Sequence, residues 1–339
     1  MPIKVLIVDD SALIRQLLTE LLQSDPGIVV VGTAGDPHIA REKIKALNPH
    51  VITLDIEMPR MDGLSFLERL MALRPMPVVV VSTLTQKGGD VALRALEMGA
   101  VEVVGKPVAD IRQGAEALRA ELIAKVRAAA ASRPRARAAP STRPTLTVDP
   151  ALSSEGRVVA LGASTGGVEA LQRLLAPLPA ESPAILVTQH MPPGFTASFA
   201  RRLDEQCRMS VCEAAQGQRV LAGHVYIANG RAHLELARSG AHLVCRLHDG
   251  PLVSGHRPSV DVLFQSVAAT AGSRATGIIL TGMGRDGAAG LLAMRQAGAR
   301  TFGESESSCL IYGMPKAARD LGAVGAELPL DRLAEAIIA

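Results

Sequence analysis

Residues 5–23 read VLIVDDSALIRQLLTELLQ: four apolar strand formers in a row, two aspartates, a serine, then leucines and an isoleucine at helical spacing. A continuous apolar run that short reads as a strand buried on both faces, and Ser11 is a natural cap for the helix that follows. The same unit recurs outward along the chain. Strands are expected at Val5–Val8, Val29–Gly32, Val51–Leu54, Val78–Val81 and Val101–Val104. Helical patterns fall between and after them at Ser11–Gln23, Pro37–Leu47, Asp62–Leu73, Asp90–Met98 and Asp110–Arg127. Buried strands alternating with amphipathic helices predict a doubly wound α/β domain, with a parallel sheet covered on both faces, over residues 1–122.

From Ala128 to about Pro150 the alternation gives way to Ala, Arg, Pro, Ser and Thr, with Arg133, Arg135, Arg137 and Arg143 forming a basic run. That composition reads as a solvated, partly extended linker, a nucleic-acid tail being the other reading of the arginines. From Gly156 the alternation resumes, with RVVALGAS, AILVTQH and ATGIILTGMG as its strongest strands. Between the last two, residues 211–250 read as short strands and turns (HVYIAN, HLEL, HLVCRL). The expected division is a first domain at 1–122, a helix end and linker at 123–154, and a second doubly wound, Rossmann-like α/β domain at 155–339.

Bulk properties narrow the function classes. A chain of 339 residues has room for two ordinary cores. A net charge of +3 gives no global electrostatic argument for nucleic acid or membrane. With no Trp, five Phe and two Tyr, stacking platforms for single-stranded nucleic acid are not expected. Cys207, Cys212, Cys245 and Cys309 lack CxxC spacing and read as free thiols in a reducing cytoplasm. The opening MPIKVLIVDD is too short an apolar run for a signal peptide, and no later stretch approaches the ~18 apolar residues of a membrane span. A cytoplasmic protein without membrane insertion is expected.

In an open parallel sheet, functional groups gather beyond the carboxyl ends of the strands. VLIV ends at Asp9 and Asp10, VITL at Asp55, VVVV at Ser82–Thr83, and the fifth strand at Lys106–Pro107. Converging carboxylates repel one another unless a cation neutralises them, and hard oxygen ligands of this kind suit Mg²⁺. Each feature alone has a bland reading: a strand-end aspartate as a cap, a lysine as a surface residue. Together they resemble the receiver domain of two-component response regulators, a flavodoxin-like fold. The resemblance is carried by Asp9 and Asp10, the LDIEMPRMDG segment around Asp55, Ser82 and the Lys106–Pro107 pair. It implies that Asp55 accepts phosphate from a histidine kinase. It further implies that Asp9, Asp10, Asp55 and the Glu57 carbonyl serve Mg²⁺, and that Ser82 and Lys106 are the switch residues. Where receivers often carry an aromatic residue in the fifth strand this chain has Val103, so coupling through an aromatic rotamer is not expected.

The second domain offers a serine, a histidine and an aspartate at three strand ends. VVAL runs into Gly162-Ala-Ser164-Thr-Gly166-Gly167, a G-x-S-x-G turn that can expose a nucleophile or cradle a phosphate. AILV ends in Gln189-His190, and GIIL runs into Thr281-Gly-Met283-Gly-Arg-Asp286-Gly. Taken singly, His190 reads as a structural hydrogen-bonder and Asp286 as a turn residue. A serine hydroxyl needs an adjacent base, imidazole titrates near working pH, and the base needs a carboxylate on its other nitrogen. Ser164 is therefore the candidate nucleophile, His190 the base and then acid, and Asp286 the orienter. The order Ser…His…Asp differs from that of α/β-hydrolases, so the turn motif alone does not assign that class.

The runs GASTGG, QHMPPGFT, RPSVDVLF, GIILTGMGRDGAAG and SCLIYGMPKAA resemble the catalytic domain of the chemotaxis receptor protein-glutamate methylesterases. That resemblance implies a Ser164–His190–Asp286 triad, an oxyanion hole of backbone N–H groups near Thr165 and Met283, and hydrolysis of glutamyl methyl esters. It also implies glutamine deamidation, with no metal in the hydrolytic step. The implied partners are methyl-accepting receptors as substrate and a chemotaxis histidine kinase as phosphodonor, with the chain a monomer. The order of domains and the tether suggest that the receiver inhibits the esterase until Asp55 is phosphorylated. ANGRAH departs from the family's usual Pro-Gly by carrying Asn229, and an altered turn is expected there. A DNA-binding output would need a basic recognition helix, and a nucleotide-binding module would make no demand on His190 or Asp286. A hydrolase of some other ester or amide would keep the same three residues.

Overall fold

The computed structural model describes residues 1–58, 63–82, 86–106, 111–132 and 156–339, less the side chains of residues 86–88, 111–115 and 117. Thr83, Pro107, the PRMD part of the Asp55 segment and the linker arginines lie outside the described residues. Two compact units, Met1–Ser141 and Thr142–Ala339, each carry their own parallel sheet.

The first unit runs β1 (Ile3–Val8), α1 (Ala12–Gln23), β2 (Ile28–Ala34), α2 (Pro37–Leu47), β3 (Val51–Asp55), α3 (Gly63–Leu73), β4 (Val78–Ser82), α4 (Gln86–Glu97), β5 (Glu102–Gly105) and α5 (Ile111–Ala131). Its strands are all parallel in the order β2-β1-β3-β4-β5, the flavodoxin arrangement. Every residue of β3 and β4 is buried, which is why both read as apolar runs rather than alternating patterns. Ser11 caps α1 by accepting the Ile14 N–H, and Asp36 caps α2 by accepting from His38 and Ile39.

Two helices depart from expectation. α4 starts at Gln86 rather than Asp90, and α5 continues through Ala131 rather than ending at Arg127. Alanine has the highest intrinsic helix propensity, and Ala128 and Ala129 are buried. The alanine run is thus the last turn of a helix and not the start of the linker.

The second unit runs β6 (Val158–Ala163), α6 (Gly167–Leu175), β7 (Ala184–Gln189), α7 (Phe195–Asp204), β8 (Ser210–Glu213), β9 (His224–Ile227), β10 (His233–Ser239), β11 (His242–His248), α8 (Val260–Ala271), β12 (Ala275–Ile279), α9 (Ala288–Gln296), β13 (Arg300–Glu304), α10 (Met314–Asp320), β14 (Ala326–Leu328) and α11 (Leu330–Ile338). Seven strands pair in parallel in the order β14-β13-β12-β6-β7-β9-β8. β9 rather than β8 lies beside β7, a departure from the simple Rossmann order, while β10 and β11 form an antiparallel hairpin of their own.

The central strand is β6, with β7 on one side and β12 on the other, so the winding reverses there and opens a crevice at the carboxyl ends. Val158 and Ala160 on one face of β6 share a buried cluster with Val260, Leu263, Phe264 and Val267 of α8. Gly162 on that face has no room for a side chain, since a Cβ would stand 2.1 Å from Val260 Cγ1. The closeness of α8 to β6 matters because the first turn of α8 reaches the crevice. Among the described residues no helix is long and apolar enough to cross a membrane.

Candidate active site

β6 ends at Ala163 and α6 begins at Gly167, so the chain turns from strand to helix within Ser164–Gly166. Gly166 has φ 80°, a conformation that a residue with a Cβ adopts only under strain. The turn is tied to its neighbours on both sides. Ser164 N–H donates to Thr281 O at 3.0 Å beyond β12, and Gly167 N–H donates back to Ser164 O at 2.7 Å. Gly282 comes so close that a Cβ there would lie 2.7 Å from Ser164 Cβ. Thr165 is buried behind the turn, and Met283, next to Gly282, is exposed.

His190 follows the last residue of β7, and Ala163 O accepts its N–H at 3.1 Å. Its ring is nearly buried and reaches Asp286: Nε2 and Oδ2 are 2.7 Å apart. Asp286 is 2% exposed and fully occupied. The Ser259 hydroxyl donates to Oδ1 at 2.7 Å, Val260 N–H to Oδ2 at 2.7 Å and Asp261 N–H to Oδ1 at 3.1 Å. These donors are the cap and first turn of α8, whose N-terminal partial charge favours an anion. Burial alone would push Asp286 up. The hydrogen bond and charge of His190, with Ser259 and Val260, outweigh burial and hold the carboxyl below its usual range.

An ionised Asp286 can only accept, so Nε2 of His190 donates to it and Nδ1 is the nitrogen left to act as base. Nδ1 is buried and has no hydrogen-bond partner. No hydrogen bond joins it to the Ser164 hydroxyl; contacts of that kind commonly tighten only when substrate arrives. The structure therefore joins His190 to Asp286 directly and ties Ser164 to the same crevice through backbone bonds.

Several residues of this site escape sequence reading. Gln189 Nε2 donates to both Ser164 O at 2.9 Å and His190 O at 3.0 Å, clamping the two segments together. Thr281 accepts the Ser164 N–H through its carbonyl and donates its hydroxyl to Thr165 O at 3.0 Å. The His256 ring stacks on His190 with centroids 3.7 Å apart and planes 12° from parallel. Ser259 had one usable signal, a serine just before the helical pattern VDVLF. At Asn229, where an altered turn is expected, Oδ1 accepts the Arg231 N–H at 2.8 Å. That turn also backs the His190 segment, since a Cβ on Gly230 would stand 2.9 Å from Pro193 Cα.

The first unit has its own polar crevice at the carboxyl ends of β1, β3, β4 and β5. Asp9 and Asp55 are buried, Asp10 is exposed, and one oxygen from each lies within 4.8 Å of the others. Lys106 Nζ sits 3.1 Å from Asp9 Oδ2 and 2.7 Å from Asp55 Oδ2. Neither oxygen takes a well-directed hydrogen bond. The other oxygens accept backbone N–H groups, Asp9 from Ser11 at 2.9 Å and Asp55 from Glu57 at 3.0 Å. Burial pushes Asp9 up, Lys106 opposes this, and Asp55 adds to it. Burial would lower Lys106, but Asp55 and Asp9 hold it above its usual range. Ser82 is buried at the end of β4, and Val103 is buried within β5. Three clustered carboxylates, two of them buried and sharing one lysine, fit a hard divalent cation such as Mg²⁺.

Comparison with known proteins bears on both crevices. Residues 5–119 match the response regulator receiver domain family, and residues 159–337 match the CheB methylesterase family. The protein-glutamate methylesterase/protein-glutamine glutaminase of Salmonella typhimurium is 56% identical over 337 residues, covering 99% of this chain and 96% of that protein. The protein of the same description from Shigella flexneri matches with the same identity and coverage. Among solved structures, the Thermotoga maritima CheB methylesterase catalytic domain aligns with TM-score 0.53 at 36% identity, over 54% of this chain and 98% of that one.

Proposed function

The chain belongs to the CheB methylesterase family, and from that premise we propose how its residues carry out the family's reaction. It is a protein-glutamate methylesterase and protein-glutamine glutaminase with a response regulator receiver, and its expected activity is phosphorylation-regulated demethylation of chemoreceptors. In our reading Ser164 Oγ attacks the γ-carbonyl carbon of a glutamyl methyl ester while His190 Nδ1 takes its proton. Backbone N–H groups near Thr165 and Met283 face the oxyanion, each worth about 10²–10³-fold in rate. The tetrahedral intermediate collapses to acyl-serine and methanol, which leaves with the proton from His190. Water then adds to the acyl-serine with His190 again as base, giving the glutamate carboxylate and free Ser164. A glutamine side chain follows the same route with ammonia as the leaving group.

The observation that supports this reading is the state of His190. Its Nε2 is held by a carboxylate that already takes three other hydrogen bonds, and its Nδ1 is buried and uncommitted. A base held in one tautomer beside a serine turn is what acyl transfer requires. Methanol release from methylated receptor tests the assignment. Ser164→Ala should abolish turnover, and release at the wild-type rate would remove Ser164 from the mechanism.

For the receiver, we read Asp55 as the phosphoacceptor. Asp9, Asp10, Asp55 and the Glu57 carbonyl would hold Mg²⁺, which offsets the charge of the incoming phosphoryl group when bound. Ser82 and Lys106 then meet the phosphoryl oxygens. The receiver restrains the esterase until Asp55 is phosphorylated, and a tenfold rise in the active population needs about 1.4 kcal/mol of differential stabilisation. Asp55→Ala should leave the esterase insensitive to a small phosphodonor. The free thiols of all four cysteines support a cytoplasmic setting, and we read the working form as a monomer that meets receptor and histidine kinase there.

A further inference from the structure

Glu304 ends β13, next to β12, and is 1% exposed. A carboxyl so deep normally has a cation partner, yet among the described residues no ammonium or guanidinium forms an ion pair with it. Its Oε2 accepts the Thr281 N–H at 2.9 Å. Thr281 in turn accepts the Ser164 N–H at 3.0 Å through its carbonyl and holds Thr165 O through its hydroxyl. The carboxyl is therefore two hydrogen bonds from the backbone of the serine turn, reached from a different strand.

We propose that Glu304 is a positioning residue for the hydrolysis: it fixes the Thr281 amide and, through the Thr281 carbonyl, the angle at which Ser164 leaves β6. The proposal rests on the reading of Ser164 as nucleophile. Its neutral form suits the task. Burial pushes Glu304 up, against weaker pulls from Thr281, Ser308, Cys309 and Arg173. The groups that act on it are the Thr281 N–H, Ser308, the Cys309 thiol and Arg173 from α6; burial and Glu304 in turn push Cys309 up. These four favour the charged form, but no ion pair among the described residues adds to them, and burial outweighs them. A negative charge there would also oppose an oxyanion forming at the Ser164 turn. Turnover should accordingly fall on the alkaline side as Glu304 ionises.

The test uses the full chain with Glu304→Leu and Glu304→Gln, reading kcat and KM for methanol release across pH, and the rate of serine labelling by a fluorophosphonate. Leucine leaves the Thr281 N–H buried without an acceptor. It should cost about tenfold or more in kcat and in labelling rate, with KM unchanged because receptor does not touch position 304. Glutamine restores an acceptor and cannot ionise, so it should recover most of that loss and hold its activity to higher pH than wild type. Wild-type kcat in Glu304→Leu, or equal damage from both substitutions, would overturn the proposal. Should the leucine variant not fold, the pH profiles of wild type and Glu304→Gln decide alone, and superimposed alkaline limbs would overturn it. Failure of the underlying reading looks different: Ser164→Ala would then still release methanol.

Discussion

Asp55 ends β3 and Asp286 lies in the loop after β12, both at the carboxyl edge of a parallel sheet, and they are opposites. Asp286 takes four hydrogen bonds from the protein itself, and the sum holds it ionised. Asp55 takes one from Glu57, shares Lys106 with Asp9, and keeps a buried oxygen that no well-directed hydrogen bond reaches. One carboxylate is saturated, so all it can do is hold a neighbour still. The other rests on one backbone N–H and a lysine it shares with Asp9, and so is suited to bind something brought from outside. The position on the fold is common to both; the count of donors separates a positioning acid from a reacting one.

The hardest way to break that contrast is Asp286→Asn. The shape is kept, but the amide can no longer accept the Nε2 proton while balancing an imidazolium. By analogy with serine proteases, kcat for methanol release should fall about 10³-fold or more. A loss under tenfold would mean that Asp286 is not the orienter of His190. Ser259→Ala is milder, since it removes one of four donors. We expect a loss of kcat of about fivefold, from the worth of a hydrogen bond to a charged group. The sign of its pH effect follows from the lowered pKa of Asp286. Stability gained by a depressed carboxyl is present above its unfolded value and is lost as pH falls through the folded one. With one donor gone the folded value rises, so acid unfolding of Ser259→Ala should begin at higher pH than in wild type. An unshifted acid midpoint would show that the hydroxyl contributes nothing to holding the charge.

These partners also show where sequence reading stopped. Ser164, His190 and Asp286 were legible because each ends a strong apolar strand, and strand ends are where an open sheet places chemistry. Gln189, Thr281 and Ser259 act through side-chain hydrogen bonds that span 25, 116 and 27 positions of the chain respectively. Such a bond has no local pattern, because any polar residue in those places would read as a strand end or a cap. The insertion of β9 between β7 and β8 is hidden for the same reason, as strand order depends on pairing and not on the apolar run itself. The extension of α5 through Ala131 failed differently. Alanine beside arginine and proline looks like linker composition, and only the helix itself, with Ala128 and Ala129 buried, resolves it.

The smallest expected effect sharpens the other half of the contrast. If the Asp9–Asp10–Asp55 cluster takes a cation, protons and Mg²⁺ must compete for it. Burial raises Asp9, so it takes up a proton at higher pH than an ordinary aspartate. Mg²⁺ needs the charged form, so affinity should climb as pH rises through that raised value and level off once Asp9 is ionised. Titration calorimetry suits the measurement, since the chain has no tryptophan to report binding. We expect affinity to change severalfold across the acidic range, with protons released on binding, and Asp10→Ala to weaken binding at every pH. The same titration should leave basal methanol release untouched, because no residue of the Ser164 crevice belongs to this cluster. Affinity that ignores pH would indicate that Lys106 alone already balances Asp9, and the two carboxylate sites would then be more alike than their hydrogen bonds suggest.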